Sequence, residues 1–127
     1  MRAINFINNS KGFSLIELIA VMVILGVMAS VAVKKLDLIS STASDRALQE
    51  VRKELNVRET VIWTKVKWTS AGWTDDATLF EMLDTNMGTN YVWTSGPNAG
   101  GGTVKFKSNS LVLTRTPSTS ISMGRWN

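Results

Sequence analysis

The pattern of hydrophobic and polar positions divides the chain into three stretches. From Phe13 to Val33 the residues are almost all apolar. From about residue 34 to residue 66, apolar and charged residues recur at helical spacing, and beyond that short apolar runs alternate with Gly, Asn and Ser. In order, these patterns predict a long apolar helix, an amphipathic helix and a small β-sheet.

The apolar run is long enough to cross a membrane, because a helix from Phe13 to Val33 extends roughly 31 Å, about the thickness of the hydrocarbon core. A buried core helix is disfavoured, since the rest of a 127-residue chain is too small to cover it. A secretory signal peptide with a cut at Ala29–Ala32 is disfavoured too, because the run is too long and contains Glu17. The pattern favours a membrane helix that stays in the mature protein.

The second stretch predicts that this helix continues as an amphipathic spine over about residues 34–66, which contain neither Pro nor Gly. Its apolar residues recur at steps of three, four and seven: Leu36, Ile39, Ala43, Ala47, Val51, Leu55 and Ile62. This stripe is the face on which we expect a sheet to pack, and the whole helix would measure roughly 80 Å. Its end is ambiguous, because residues 60–68 are rich in β-branched and aromatic residues and also fit a strand.

The rest of the chain predicts a short helix followed by strands. Thr74 or Asp75 can cap a helix that ends near Gly88. A strand is predicted at 89–95, a flexible turn at 96–102, and a hairpin of strands at 103–107 and 110–116. Residues 117–127 carry little core signal, which predicts an extended tail or an edge strand. The predicted fold class is α+β, with a long N-terminal helix packed against a small antiparallel β-sheet at about residues 89–116.

Composition removes several kinds of chemistry. The chain has no Cys and no His, which excludes disulfides, thiol chemistry and the usual zinc ligand sets. The glycines at 100–102 lack the Lys-Ser/Thr ending of a phosphate-binding loop and predict an ordinary loop. Asp75 and Asp76 fit a calcium site, but helix capping explains them equally well. We therefore expect a protein that is not an enzyme and that has no cofactor and no metal.

Basic residues beside aromatic ones suggest a second kind of partner. After Asp84 the chain has no acid but carries Lys105, Lys107, Arg115 and Arg125, and a separate cluster consists of Trp63, Lys65, Lys67 and Trp68. Such residues can bind single-stranded nucleic acid through charge and stacking. Lys65, Lys67, Lys105 and Lys107 are therefore candidate contacts. Solvated strand faces and buried tryptophans explain such clusters more often, so a nucleic-acid partner is not our expectation.

The start of the chain resembles the signature of type IV pilins and type II secretion pseudopilins. The stretch "KGFSLIELIAVMVILGVMAS" begins with Lys11-Gly12-Phe13, places an acid at the fifth residue after the Gly, and continues as an apolar helix. In that family a prepilin peptidase and methyltransferase removes a short basic leader after its Gly and methylates the new N-terminal residue. The resemblance implies a leader at residues 1–12, cleavage between Gly12 and Phe13, and N-methylation of Phe13.

The resemblance also gives the acid in the apolar run a role. In the family's filaments this acid is thought to face the free N-terminal amine of a neighbouring subunit, which here implies Phe13 and Glu17 as assembly residues. Opposite charges attract strongly at low dielectric, while either charge alone is penalised. The pair would therefore set the register between subunits more than it would add stability.

The protein implied by the resemblance is a pilin-like structural subunit of a type IV pilus-like filament. We expect residues 13–33 to form the transmembrane and assembly helix and residues 34–127 to form the globular domain. The chain would cross the inner membrane once, with its N-terminus in the cytoplasm and its globular domain in the periplasm, before it joins an extracellular or periplasmic filament. Its expected partners are the prepilin peptidase/methyltransferase, other pilin subunits and the inner-membrane assembly machinery.

Two alternatives stay open. The first is a pseudopilin of a type II secretion system, although the lack of acids after Asp84 argues against the calcium site that major pseudopilins typically carry. The second belongs to another class, a single-pass membrane-anchored binding module that does not polymerise. The sequence separates neither a pilus from a secretion system nor a major subunit from a minor one.

Overall fold

The computed structural model describes residues 12–127, so most of the predicted leader lies outside the described residues. Two helices are followed by four strands: α1 (Leu15–Lys67), α2 (Asp76–Met82), β1 (Tyr91–Asn98), β2 (Gly101–Phe106), β3 (Asn109–Thr116) and β4 (Arg125–Trp126). The long N-terminal helix and the small antiparallel sheet confirm the predicted α+β class and are consistent with a pilin-like fold.

The chain divides into two units, residues 1–38 and residues 39–127. Every residue from 12 to 38 is exposed in the structure, including all the apolar ones. The helical part of this unit contains a stretch that is long and apolar enough to cross a membrane, by its length and composition. The predicted span at residues 13–33 falls on this stretch and stays a prediction.

The second unit contains the sheet, whose strands pair antiparallel in the order β1-β2-β3-β4. β2 and β3 pair without interruption from Gly101 opposite Thr114 to Phe106 opposite Asn109, which confirms the predicted hairpin. The turn predicted at 96–102 is present but shorter, because β1 extends to Asn98 and β2 begins at Gly101, which leaves only residues 99–100 as the turn. Gly101 allows this close return: its φ is +128°, and an added Cβ would lie 2.1 Å from the carbonyl oxygen of Leu113.

The core of this unit forms where helix α1 meets the inner face of the sheet. Its buried residues are Leu48, Val51, Leu55, Leu83, Val104, Leu113 and Trp126. The predicted stripe is right for Val51 and Leu55 but wrong for Leu36 and Ile39, which are 65% and 63% exposed. Besides these core contacts, the β2–β3 hairpin meets the helix at Ser41, where Asn109 Nδ2 donates to the carbonyl oxygen of Ser41 at 3.3 Å.

Three boundaries differ from the predicted ones. Helix α1 continues to Lys67, so residues 60–67 are helical and do not form a strand. Asp75 caps helix α2 as predicted, but the helix ends at Met82 and not near Gly88. Residues 117–127 include the predicted edge strand, β4, but the expected lack of core residues is wrong because Trp126 is 1% exposed.

Candidate functional site

Ser14 and Glu17 form a reciprocal pair of hydrogen bonds at the start of helix α1. The backbone N–H of Ser14 donates to Glu17 Oε2 at 3.2 Å, and the backbone N–H of Glu17 donates to Ser14 Oγ at 3.3 Å. This arrangement is a capping box, which satisfies two backbone donors that have no partner within the helix. A carboxylate is also favoured in the first turn by the helix dipole. The acid in the apolar run therefore has a local structural role.

Sequence reasoning missed this capping box, although the Ser-x-x-Glu spacing that signals it is present at residues 14–17. The predicted cut between Gly12 and Phe13 would leave the box intact, because Ser14 would keep an ordinary peptide N–H. The residues at the cut are accessible: Phe13 is 84% exposed, and a Cβ added at Gly12 would contact nothing within 4 Å. Their roles in cleavage and methylation stay predictions.

The apolar residues after the cap are exposed around the whole circumference of the helix. Ile16, Ile19, Met22 and Ile24 are 76%, 54%, 65% and 59% exposed and point in different directions around the helix. Ser30 does not interrupt this surface, because its hydroxyl donates to the carbonyl oxygen of Val27 at 2.8 Å. Within the described chain nothing covers this surface, which is consistent with membrane anchoring.

Residues 7–33 match the family model of the prokaryotic N-terminal methylation motif. The chain carries the signature of type IV pilins and pseudopilins. The motif implies processing by a prepilin peptidase and assembly with other pilin subunits, and it points to a structural subunit. No curated protein and no solved structure matches the chain.

A second constellation lies in the globular unit of this pilin-like chain, around the side chain of Arg115, which is fully buried. Its Nε and Nη2 atoms donate to the two carboxylate oxygens of Glu59, the second of them at 3.3 Å. Its Nη1 and Nη2 atoms donate to the two oxygens of Asp76, each at 2.8 Å. One guanidinium thus joins helix α1, helix α2 and strand β3.

Hydrogen bonds from Ser118 and Trp126 connect this network to the C-terminal segment. Asp76 Oδ1 accepts hydrogen bonds from the backbone N–H and the hydroxyl of Ser118, at 2.6 and 2.7 Å. Trp126 Nε1 donates to Glu59 Oε1 at 3.1 Å. Gly124 must be small here, because a Cβ would lie 2.7 Å from Glu59 Oε2 and 2.8 Å from Arg115 Nη2. Glu59, Asp76 and Arg115 therefore all have partners within the fold. We interpret the network as one that stabilises the globular unit.

Burial and pairing act in opposite directions on this network. Partial burial alone raises the pKa of Asp76, but the hydrogen bonds from Arg115 and Ser118 outweigh it and lower the pKa from 3.8 to about 2. Burial likewise lowers the pKa of Arg115, and the bonds to Asp76 and Glu59 outweigh it, so the pKa is raised above its usual value. Both groups stay ionised over the physiological range.

The structure accounts for Asp75 and Asp76 without a metal ion. Asp75 caps helix α2, because its Oδ1 accepts the backbone N–H of Thr78 at 2.7 Å, and this bond lowers the pKa of Asp75. Asp76 pairs with Arg115. Among residues 12–127 there is no group of three or more Asp, Glu, His or Cys side chains placed to hold a metal ion.

The four candidate nucleic-acid lysines fall into two groups. Lys67 donates to the carbonyl oxygen of Ser120 at 2.7 Å, and Lys65 borders an open groove of about 620 Å³ beside Trp68, both at the end of helix α1. Lys105 and Lys107 belong to the β2–β3 hairpin, which reaches helix α1 at Ser41, roughly 39 Å along the helix from Lys67. The four lysines do not form one surface, and nucleic-acid contact by either pair stays a prediction.

Proposed function

We propose that the chain is a structural subunit of a type IV pilus-like filament, anchored first in the inner membrane and then polymerised through the N-terminal half of helix α1. The observation that carries this proposal is a coincidence of two features. From Leu15 onward, the methylation motif at residues 7–33 lies on helix α1, whose apolar side chains are exposed in every direction. Such a surface suits lipid before assembly and the helices of other subunits afterwards.

Glu17 supports polymerisation over an anchored binding module. An acid within a membrane helix costs up to roughly 2.5–3.5 kcal/mol, a cost that a plain lipid anchor has no reason to carry. The capping box offsets part of it in the monomer, through the hydrogen bonds with Ser14. Removal of the leader would create an amine at Phe13, and a neighbouring subunit's Glu17 could then bind that amine in the filament.

The membrane topology follows from the same proposal. The leader would stay in the cytoplasm, where a prepilin peptidase/methyltransferase cuts after Gly12, and the globular unit would lie in the periplasm. The inner-membrane assembly machinery would then transfer the subunit into a filament. A type II secretion pseudopilin fits the motif equally well and shares each of these steps.

The processing step provides the first test. A branched side chain at Gly12 blocks access to the adjacent bond, so Gly12→Val is expected to retain the leader, while the native chain begins at an N-methylated Phe13. Intact-protein mass spectrometry of the membrane fraction measures both. Gly26→Val is the matched control, because the same substitution lies in the same motif away from the cut and also meets open space. A native chain that begins at Met1 or near Val33 would contradict the proposal.

A further inference from the structure

Charges of opposite sign are segregated along the globular part of the chain. Residues 69–104 contain four acids and no Lys or Arg, whereas residues 105–127 contain four basic residues and no acid. One residue of each set is paired inside the fold, because Asp76 and Arg115 form an ion pair with each other. Of the charges that remain exposed, Asp75, Glu81 and Asp84 lie on one surface and Lys105 and Arg125 on another.

The first surface, here called the acidic surface, consists of Asp75, Glu81, Met82 and Asp84 on and beside helix α2. Leu79 of the helix and Leu83, directly after it, are buried, whereas Glu81 and Met82 are exposed and face away from the core. Met82 is 57% exposed, and the Asp84 side chain is 73% exposed. One cation lies nearby, Arg58, whose Nη1 is 3.7 Å from Asp84 Oδ2.

The second surface, here called the basic face, is the outer side of the sheet and carries Val92, Lys105, Val112 and Arg125. Successive side chains of a strand point to opposite faces. Val104 and Trp126 are buried in the core, so Lys105 and Arg125 point outward. Val92 and Val112 are 57% and 70% exposed on the same side, and Val92 lies opposite Lys105.

The two surfaces lie on opposite sides of the globular unit. Arg115 projects from the inner face of β3, since its side chain is buried against Glu59 of helix α1. Helix α2 contacts this same side chain, through Asp76 and through the ring of Phe80, whose centroid is 5.0 Å from the guanidinium carbon. Helix α2 is therefore on the inner side of the sheet, and its outward face cannot reach the basic face of its own chain.

We propose that the acidic surface of one copy binds the basic face of a second copy. Met82 would contact Val92 and Val112 at the apolar centre, and the acids would surround it opposite Lys105 and Arg125, as in an interface with an apolar core and a polar rim. Charge complementarity selects the partner and its orientation. Because the two surfaces differ and face opposite ways, the contact is head-to-tail and leaves both ends open for further copies. The choice of a second copy as the partner rests on the proposed filament function.

Cysteine cross-linking tests the contact in the full-length chain, which has no cysteine of its own. Met82→Cys and Val112→Cys leave every charge in place. Oxidised in membranes, each variant alone is expected to stay monomeric, the two co-expressed variants to give a dimer, and the double variant to give a ladder of multimers. Lys53→Cys replaces Val112→Cys as the control and is expected to give no dimer with Met82→Cys. Dimers from either single variant, or no ladder from the double variant, would overturn the proposal.

Charge reversal tests the reason for the contact. In the double-cysteine chain, Lys105→Glu with Arg125→Glu is expected to reduce the ladder about tenfold, because two attractive pairs become repulsive. Adding Glu81→Lys and Asp84→Lys is expected to restore it. Lys53→Glu with Lys65→Glu makes the same change in net charge off both surfaces and should leave the ladder intact. An equal loss in this control, or no restoration by the swap, would refute the assigned pairing.

The readouts separate this inference from the filament function on which it rests. A ladder in membranes without filaments under the electron microscope would support the contact and contradict the filament function. Filaments without a ladder would support the filament function and overturn the contact.

Discussion

Glu17 and Glu59 lie on the same helix, each among apolar residues, and their carboxylates are satisfied in different ways. Glu17 is exposed and bonds to Ser14, three residues away. Glu59 is fully buried and bonds to Arg115, 56 residues away, and to Trp126. The first carboxylate needs only the helix that carries it, whereas the second needs the sheet and the C-terminal segment to be in place.

This difference reflects the two units of the chain. Residues 12–38 have no buried side chain in the described part of the chain. In residues 39–127, the core excludes water from the ion pairs, which raises both the strength of the pairing and the cost of breaking it. An acid among apolar residues therefore caps the helix at its start and pairs with a distant cation inside the core of the second unit.

The largest expected effect comes from removing the shared cation of the buried network. Arg115→Met keeps an unbranched side chain but leaves Glu59 and Asp76 without their partner, and it is expected to destabilise the globular unit by about 3–5 kcal/mol. Urea unfolding of the full-length protein in detergent, followed by tryptophan fluorescence, measures the change. Lys105→Met is the matched control on the outer face of the neighbouring strand, with an expected change within about 0.5 kcal/mol. If Arg115→Met and Lys105→Met had equal free energies of unfolding, the network would not stabilise the globular unit as proposed here.

Lowering the pH is expected to weaken the same network, with a smaller loss in the free energy of unfolding than Arg115→Met causes. The pKa of Asp76 is lowered from 3.8 to about 2 on folding, which at 1.36 kcal/mol per pKa unit stabilises the native state by about 2 kcal/mol. A lowered pKa stabilises the fold above the unfolded value of 3.8, and this contribution is lost as the pH falls toward 2. Unfolding free energies measured from pH 5 to pH 2 should therefore decrease more for the native chain than for Asp76→Asn. Parallel curves would contradict the assignment.

The smallest expected change in stability belongs to the capping box. Ser14→Ala removes one of its two hydrogen bonds and is expected to cost about 0.5–2 kcal/mol, confined to the first turn of helix α1. Hydrogen exchange of the first helical amides, measured in detergent, detects this loss. The carboxylate of Glu17 remains, so we expect Ser14→Ala to assemble.

Glu17→Gln separates the cap from the proposed pairing with a neighbour's amine. Glutamine also serves in a capping box, so the first turn of the helix should stay protected while the charge is lost. Under the proposed function this variant is cut normally but enters filaments poorly, as seen by electron microscopy of sheared filaments. Normal filaments from Glu17→Gln and defective ones from Ser14→Ala would show that Glu17 acts through the cap alone.

Much of the fold could be predicted from local patterns. The 103–107 and 110–116 hairpin shows clear alternation, and Asp75 precedes a helix in the position of an N-cap. The capping box at Ser14 follows equally from a local pattern, the Ser-x-x-Glu spacing at residues 14–17. The buried face of helix α1 is harder to predict from the sequence. Leu36 and Leu48 both fit a helical period, and only the position of the sheet decides which one is buried.

The sequence by itself determined the features that depend on neighbours along the chain: the apolar helix, its cap, the hairpin and the methylation motif at residues 7–33. Only the tertiary structure decided that Arg115 is a buried partner of Glu59 and not a surface cation, that Trp126 belongs to the core, and that charges of opposite sign face opposite ways. The physical reason is distance along the chain. Hydrogen bonds within a helical turn recur at fixed spacings, whereas burial and long-range pairing depend on which surfaces the folded chain brings together.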